Sequence, residues 1–434
     1  MLDKAKLYDV IGIGFGPANL AVAIAMQESS VNEQSMSYCF LEKKPAFEWH
    51  GGMLLDGTRM QISFLKDLVT QRNPLSHYTF VNYLHQHNRL NSFINLSSFS
   101  PSRIEFNDYL SWAASHFSEH VDYGANVVSV EPVEVEGEVD IVKVVSLNAQ
   151  GAEDIRYTRN LIIGVGGTPK LPDQFLDHRS DKVIHSSGYK TWRKTFKTES
   201  NKPKVAIVGA GQSAAEIFVE LCNDYPEGEI NLVNRGRAIY PADDSPFVNE
   251  IFNPEFTDEI YSYTPEKRNS MIQRFSGTNY SVVDKPEIEA IYERLYLQEV
   301  TGKGAHKYLP LHEISEVAIG KNNIAMRLRN TSTQTKVWHE YDAIVLATGY
   351  HYNSFNTLLD GLKPWVHMES VERCYRLPLK DGCKVNIFLQ GCCESTHGLS
   401  DTLLSILSIL AVRSQEIVNC LVERIAESKP NVCV

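Results

Sequence analysis

The sequence predicts an α/β fold with two Rossmann-like dinucleotide-binding domains and a small, mostly helical insert. Three observations predict it: an apolar run with a glycine-rich turn near the N-terminus, a second copy of that pattern near residue 204, and a length of 434 residues, which suits two or three packed units. In the first copy Tyr8 to Ile13 is apolar, Gly12-Ile13-Gly14-Phe15-Gly16-Pro17 follows, and Leu20 to Met26 has helical composition. Strand, turn and helix in that order leave bare backbone at a helix N-terminus, where unpaired N–H groups and the helix dipole favour a pyrophosphate. Pro17 stands where the third glycine of G-x-G-x-x-G would fall. The run Tyr38 to Leu41 ends in Glu42, placed to hold ribose hydroxyls at the tip of a second strand. A surface Glu after any strand is the plainer alternative.

The second copy runs from Lys204 to Val208 into Gly209-Ala210-Gly211-Gln212-Ser213, and its next strand, Ile230 to Val233, ends at Asn234-Arg235-Gly236-Arg237. Arginine in place of the acid suits a 2′-phosphate and hence NADP, with Arg235 the better placed; a solvated loop charge is the alternative. Two nucleotide sites in one chain read as a flavin site plus a nicotinamide site. Leu161 to Ile163 and Ala343 to Leu346 also run into glycine turns, the latter through Ala347-Thr348-Gly349-Tyr350, and read as crossovers between the two units. The expected boundaries are 1–168 and 345–434 for the FAD-binding domain, 169–242 and 281–344 for the NADPH-binding domain, and 243–280 for the insert.

Composition narrows the function. With 43% hydrophobic and 22% charged residues the chain can build a large core, and a net charge of -11 without a basic run argues against nucleic acid. Leu403 to Val412 is too short and too interrupted by serine to span a membrane and reads as a core helix. No apolar leader precedes the first glycine turn, so a cytoplasmic location is expected. The eight cysteines include no C-x-x-C, which makes a disulfide framework, a metal site or a disulfide-type flavoprotein reductase improbable.

Beyond the glycine turns, the chain resembles the flavin-dependent N-hydroxylating monooxygenases of siderophore biosynthesis, the L-ornithine and L-lysine N-hydroxylases. The resemblance covers nearly the whole chain and rests on Gly12 to Leu20, Phe47-Glu48-Trp49-His50, Met60 to Leu68, Phe80 to Leu84, Gly209 to Ala214, Asp243 to Glu250, Thr278-Asn279-Tyr280, Ala347 to Tyr350 and Thr396 to Asp401. The Met60 to Leu68 and Asp243 to Asn279 blocks look closer to the ornithine branch. In that family reduced flavin reacts with oxygen at C4a, and the hydroperoxide passes its distal oxygen to an amine while bound NADP shields it from water.

The resemblance implies FAD and NADPH as cofactors, an amine and O2 as substrates, no metal, and a homotetramer. It implies that Gln212 and Ser213 keep NADP and flavin in register and that Trp49, His50 and Gln61 border the flavin ring, with Thr348 and Gly349 also at the cofactors. It makes Lys66 the partner of a substrate carboxylate and places Asn249 and Asn279 around the substrate's amino-acid end. A fixed ammonium and two amides can clamp that end and leave the side-chain amine at the flavin. On residue grounds alone, Trp49 reads as core, His50 as a satisfied surface histidine and Lys66 as a solvated charge. L-Ornithine is the expected substrate, with putrescine the alternative; L-lysine hydroxylation or a non-hydroxylating reductase stands further off.

Overall fold

The computed structural model describes residues 7–29, 36–176, 180–197, 202–278, 280–320, 323–401 and 409–428. The first sheet begins with β1 (Leu7–Ile13), followed by helix α1 (Pro17–Glu28), β2 (Tyr38–Glu42), helix α2 (Arg103–Ser115) and β3 (Val121–Tyr123). A three-stranded meander follows: β4 (Asn126–Val135), β5 (Glu138–Leu147) and β6 (Glu153–Ile163). Strands β3, β2, β1 and β6 lie side by side in parallel. The long strand β6 pairs antiparallel with β5 over Glu153 to Thr158, and its last four residues turn to a parallel partner that arrives much later.

A short strand β7 (Thr168–Pro169) then leads into the second sheet through β8 (Val183–His185), β9 (Lys204–Val208), helix α3 (Gln212–Asp224) and β10 (Glu229–Asn234). Strand β11 (Tyr240–Pro241) leaves for the insert, which holds the helical turn Pro246–Asn249, helix α4 (Pro254–Ser262) and helix α5 (Pro265–Phe275). The chain returns on β12 (Val282–Val283), which pairs parallel with β11, so exit and entry of the insert lie side by side. Helix α6 (Lys285–Thr301) and β13 (Lys307–Pro310) follow, then an antiparallel sheet of β14 (His312–Ile319), β15 (Ile324–Asn330) and β16 (Lys336–Tyr341).

Strand β17 (Ala343–Leu346) completes a five-stranded parallel sheet in the order β13-β10-β9-β17-β8. Its residues are all buried, as expected of a strand covered on both faces. Strand β18 (Tyr350–His351) pairs antiparallel with β7 where the chain crosses back, and β19 (Asn386–Leu389) closes the first sheet against β6. Each parallel sheet therefore has the doubly wound order that places a crevice at the strand ends. Among the described residues no helix is long and apolar enough to cross a membrane.

Helix α7 (Leu410–Ser428) packs on α1. Only residues 409–412 of the expected Leu403 to Val412 helix are described. Arg413 on α7 is fully buried against an equally buried Asp401, whose second carboxylate oxygen accepts the Cys393 N–H at 2.7 Å. The Thr396 to Asp401 block thus ends in a structural anchor. Removing one member strands a buried charge, while removing both does not. Arg413→Met should cost about 3–5 kcal/mol in urea unfolding, and Asp401→Leu/Arg413→Met should recover most of it. Equal losses in single and double variants would contradict this role.

Candidate functional site

Two neighbouring cavities occupy the strand ends, and Tyr350 lines both. The first, about 610 Å³, is bordered by Gly14, Gly16 and Pro17, by Glu42, and by Trp49 and His50. Gly14 has φ +83°, and a Cβ there would lie 2.5 Å from the Gly164 carbonyl oxygen. A Cβ on Gly16 would meet nothing within 4 Å, so this glycine leaves room for a ligand where α1 begins. Gly16 caps α1 without a side-chain bond, which leaves the first-turn amides for an anion. Gly12 is not part of the lining; its Cβ would fall 2.1 Å from the Phe40 ring, so it serves the contact between strands.

Glu42 ends β2 as expected. One carboxylate oxygen accepts the Phe15 N–H at 2.7 Å and the other the Lys44 N–H at 2.9 Å, which fixes its orientation while lone pairs remain for two hydroxyls. Beneath the turn lies Asn19, fully buried. Its Nδ2 donates to the Gly14 and Ile13 carbonyls at 2.7 and 3.2 Å, and its Oδ1 accepts from Gln390 Nε2 at 2.7 Å. The turn is thereby tied to the residue that follows β19. The Asn19 bonds to Gly14 and Ile13 stay within the turn, whereas the bond to Gln390 is a tertiary contact that no local pattern records.

Trp49 donates its backbone N–H to Asn107 Oδ1 at 2.8 Å, and His50, at φ +49°, opens the tight turn Gly51–Met53. A Cβ on Gly52 would lie 1.9 Å from the Ser187 carbonyl, so this loop presses against the second unit. Burial, then the nearby Arg103 and Lys44 charges, bring the His50 imidazole down to about 4, and it is neutral at physiological pH.

The second cavity, about 1730 Å³, gathers residues from three parts of the chain. Gly209, Gly211, Gln212, Ser213 and Arg235 come from the second glycine turn and the end of β10, and Thr348 and Gly349 from the crossover after β17. Gly209 has φ +152°, with its Cβ position 2.4 Å from the Ala347 carbonyl, and Gly211 begins α3 without a side-chain cap. Arg235 is exposed and faces this space; Arg237 does not line it. Gln61, Lys66 and Asn249 complete the far wall. Asn279 lies outside the described residues.

Lys66 is half-buried, and loss of water lowers its ammonium pKa. Among the described residues it has no carboxylate within ion-pair distance. Asn249 is oriented by a bond from its Nδ2 to the Asp244 carbonyl at 2.9 Å.

A hydrogen-bonded chain joins the two units beside the cavities. Arg103, the first residue of α2, makes a bidentate pair with Glu216 on α3, at 2.7 and 2.9 Å, and also donates to the Met53 carbonyl at 3.0 Å. Glu216 Oε1 accepts from Gln212 Nε2 at 3.0 Å; Gln212 Oε1 accepts the Asp284 N–H at 2.8 Å and lies 3.5 Å from Gln61 Nε2. Gln61 Nε2 also donates to Asp284 Oδ1 at 2.8 Å. Gln212 is held at both ends of its amide on the lining of the second cavity. Neither Arg103 nor Glu216 stands out in the sequence, because they are remote in the chain and meet only across the two units.

Two parallel nucleotide units with abutting cavities are the layout of a two-nucleotide flavoprotein oxidoreductase. The chain belongs to the L-lysine 6-monooxygenase/L-ornithine 5-monooxygenase family, whose profile matches residues 6–352. It is 46% identical over 405 residues to an L-ornithine N(5)-monooxygenase of Burkholderia cepacia, covering 92% of this chain and 91% of that one. The reduced form of the ornithine hydroxylase PvdA from Pseudomonas aeruginosa superposes with a TM-score of 0.92 at 43% identity, over 96% of this chain and all of that one. The ornithine N-hydroxylase KtzI of Kutzneria sp. 744, described with reduced FAD, NADP+ and L-ornithine, gives 0.90 at 34% identity, over 96% and 100% of the two chains.

The open Gly16 backbone, the uncapped start of α1 and the oriented Glu42 carboxylate fit an adenine dinucleotide. Gly14→Val would force a side chain into a left-handed backbone and against the Gly164 carbonyl. Purified Gly14→Val protein should lack flavin absorbance, and full flavin occupancy would contradict the assignment of the first cavity.

Proposed function

We propose that this chain is an FAD- and NADPH-dependent monooxygenase that uses O2 to hydroxylate the side-chain amine of L-ornithine. The observation that carries the substrate reading is Lys66, a half-buried ammonium without a carboxylate partner among the described residues, lining the same cavity as Gln212 and Asn249. The names of the relatives at 46% and 43% identity support the same substrate.

Bound FAD supplies oxygen activation, and NADPH supplies the hydride. The start of α1 holds the flavin nucleotide's pyrophosphate, and Glu42 holds its ribose hydroxyls. Trp49, neutral His50 and Gln61 border the ring, while Thr348 and Gly349 line the nicotinamide side. Gly209, Gly211 and Ser213 receive the second pyrophosphate, and Arg235 receives the 2′-phosphate, which sets the preference for NADPH. Gln212, fixed by Glu216 and Asp284, keeps the nicotinamide in register with the flavin. Lys66 takes the substrate carboxylate, and Asn249 and Asn279 take its amino-acid end, which leaves the distal amine toward the flavin.

The same reading gives the hydroxylamine product to hydroxamate siderophore assembly, the chain a homotetrameric state and the enzyme a cytoplasmic location. The five segments bounded at residues 168, 242, 280 and 344 are its functional domains.

Hydroxylamine formation across ornithine, putrescine, cadaverine and lysine tests the reading, with ornithine expected to lead. A hydrogen bond to a charged group contributes about 1.5–3 kcal/mol, so Lys66→Ala should lower ornithine hydroxylation roughly 10- to 100-fold. Anaerobic flavin reduction by NADPH should stay near wild type, and aerobic turnover should release peroxide. Preference of the wild type for putrescine would replace ornithine by the diamine. Equal loss of flavin reduction would make Lys66 structural.

A further inference from the structure

Cys374 and Cys420 lie far apart in sequence, yet their sulfurs are 2.8 Å apart. Cys374 belongs to a segment before β19 that straps the insert to the first unit. In that segment the Val371 carbonyl accepts from the Tyr261 hydroxyl at 3.1 Å, and Arg373 Nε donates to Asp258 Oδ1 at 2.7 Å, both partners being on α4. The other two Arg373 nitrogens hold Glu416 on α7 at 2.8 and 3.0 Å. Cys420 follows Glu416 by four residues, so one face of α7 meets the strap first through an ion pair and then through a thiol pair.

We propose that Cys374 and Cys420 are a peroxide-reactive dithiol that closes into a disulfide between the strap and α7. Sulfur contact is already made, and a bond length of about 2.05 Å needs a shift of less than about 1 Å. The contact with Cys374, ahead of the Arg376 and Arg424 guanidiniums, lowers the Cys420 thiol and raises that of Cys374, which favours the thiolate on Cys420. Burial pushes the Cys222 thiol up to about 12 and leaves it inert by comparison. Cys420 is buried and Cys374 partly exposed, so peroxide reaches the stabilised thiolate past the outer, resolving thiol, and the pair has the two members a reversible oxidation site needs.

The chemistry balances with hydrogen peroxide as oxidant. The Cys420 thiolate attacks one peroxide oxygen, the O–O bond breaks, and the departing hydroxide takes up a proton to leave as water. This forms a sulfenic acid on Cys420. The Cys374 sulfur then attacks the Cys420 sulfur, the S–O bond breaks, and the hydroxyl leaves as a second water with the Cys374 proton. Two thiols lose two electrons, and one peroxide becomes two waters.

The test uses resting full-length protein and added hydrogen peroxide, without NADPH or amine, so its result is independent of the proposed substrate. Thiols are counted before and after treatment in denaturant, and peptide mass spectrometry maps the linkage. The expected result is loss of two thiols per chain, a Cys374–Cys420 linked peptide, and recovery of both with dithiothreitol. In Cys374→Ser the reaction should stop at a dimedone-reactive Cys420. A linkage at Cys392 and Cys393, a thiol loss elsewhere, or an unlinked Cys420 oxidised to sulfinic acid would overturn the proposal. If Cys374→Ser does not fold, the wild-type peptide map decides alone.

Discussion

The structure depends on one charge pair placed where water is nearly absent. The Arg103 side chain is 11% exposed and that of Glu216 3%, and each belongs to a different nucleotide unit. A carboxylate so buried is tolerated only when its lone pairs are filled, and here two guanidinium nitrogens and the Gln212 amide fill them. The same guanidinium reaches the Met53 carbonyl at the end of the His50 loop and helps keep the imidazole neutral. Fixing one ion pair therefore fixes the loop bordering the first cavity and the glutamine lining the second. Alignment of the two nucleotide units is thereby tied to satisfying one buried charge.

The insert is docked by a parallel logic. Strands β11 and β12 pair where it leaves and rejoins the second unit, while its helices are tied to the first. Arg268 on α5 donates to the Ile260, Tyr261 and Tyr263 carbonyls, closing the turn between α4 and α5. Ile251 and Phe252 pack with Leu399 from the segment before α7. The proposed substrate clamp, with Lys66 from the first unit and Asn249 from the insert on one cavity, thus has both walls referred to the same frame.

The two glycine turns, Glu42 and Arg235 were legible because each belongs to a local strand-turn-helix-strand pattern whose spacing is set by the backbone. The crossovers near residues 164 and 347 were legible for the same reason. Gly12 was legible as part of the turn, but not as a residue packing on Phe40, since that contact spans two strands. Lys66, Asn249 and Gln61 carried no pattern of their own; only the family resemblance singled them out, and the fold then brings them to one cavity with Gln212. Arg103, Glu216 and Asn19 were assigned no role from the sequence, because the Arg103–Glu216 pair and the Asn19–Gln390 bond each join residues more than one hundred positions apart. The cysteines illustrate the limit: the absence of C-x-x-C excluded a local redox pair and said nothing of sulfurs that meet through tertiary packing.

The most direct measurement of the central claim is anaerobic hydride transfer from NADPH to bound FAD in Glu216→Gln, Gln212→Ala and the double variant. The amide at 216 keeps the size of the side chain and removes the charge that Arg103 requires. If the buried pair acts by holding Gln212, Glu216→Gln should retain FAD, slow hydride transfer roughly tenfold or more, and add little to the loss in Gln212→Ala, since groups acting as a unit are non-additive. Wild-type hydride transfer in Glu216→Gln, or losses that simply multiply in the double variant, would contradict the claim.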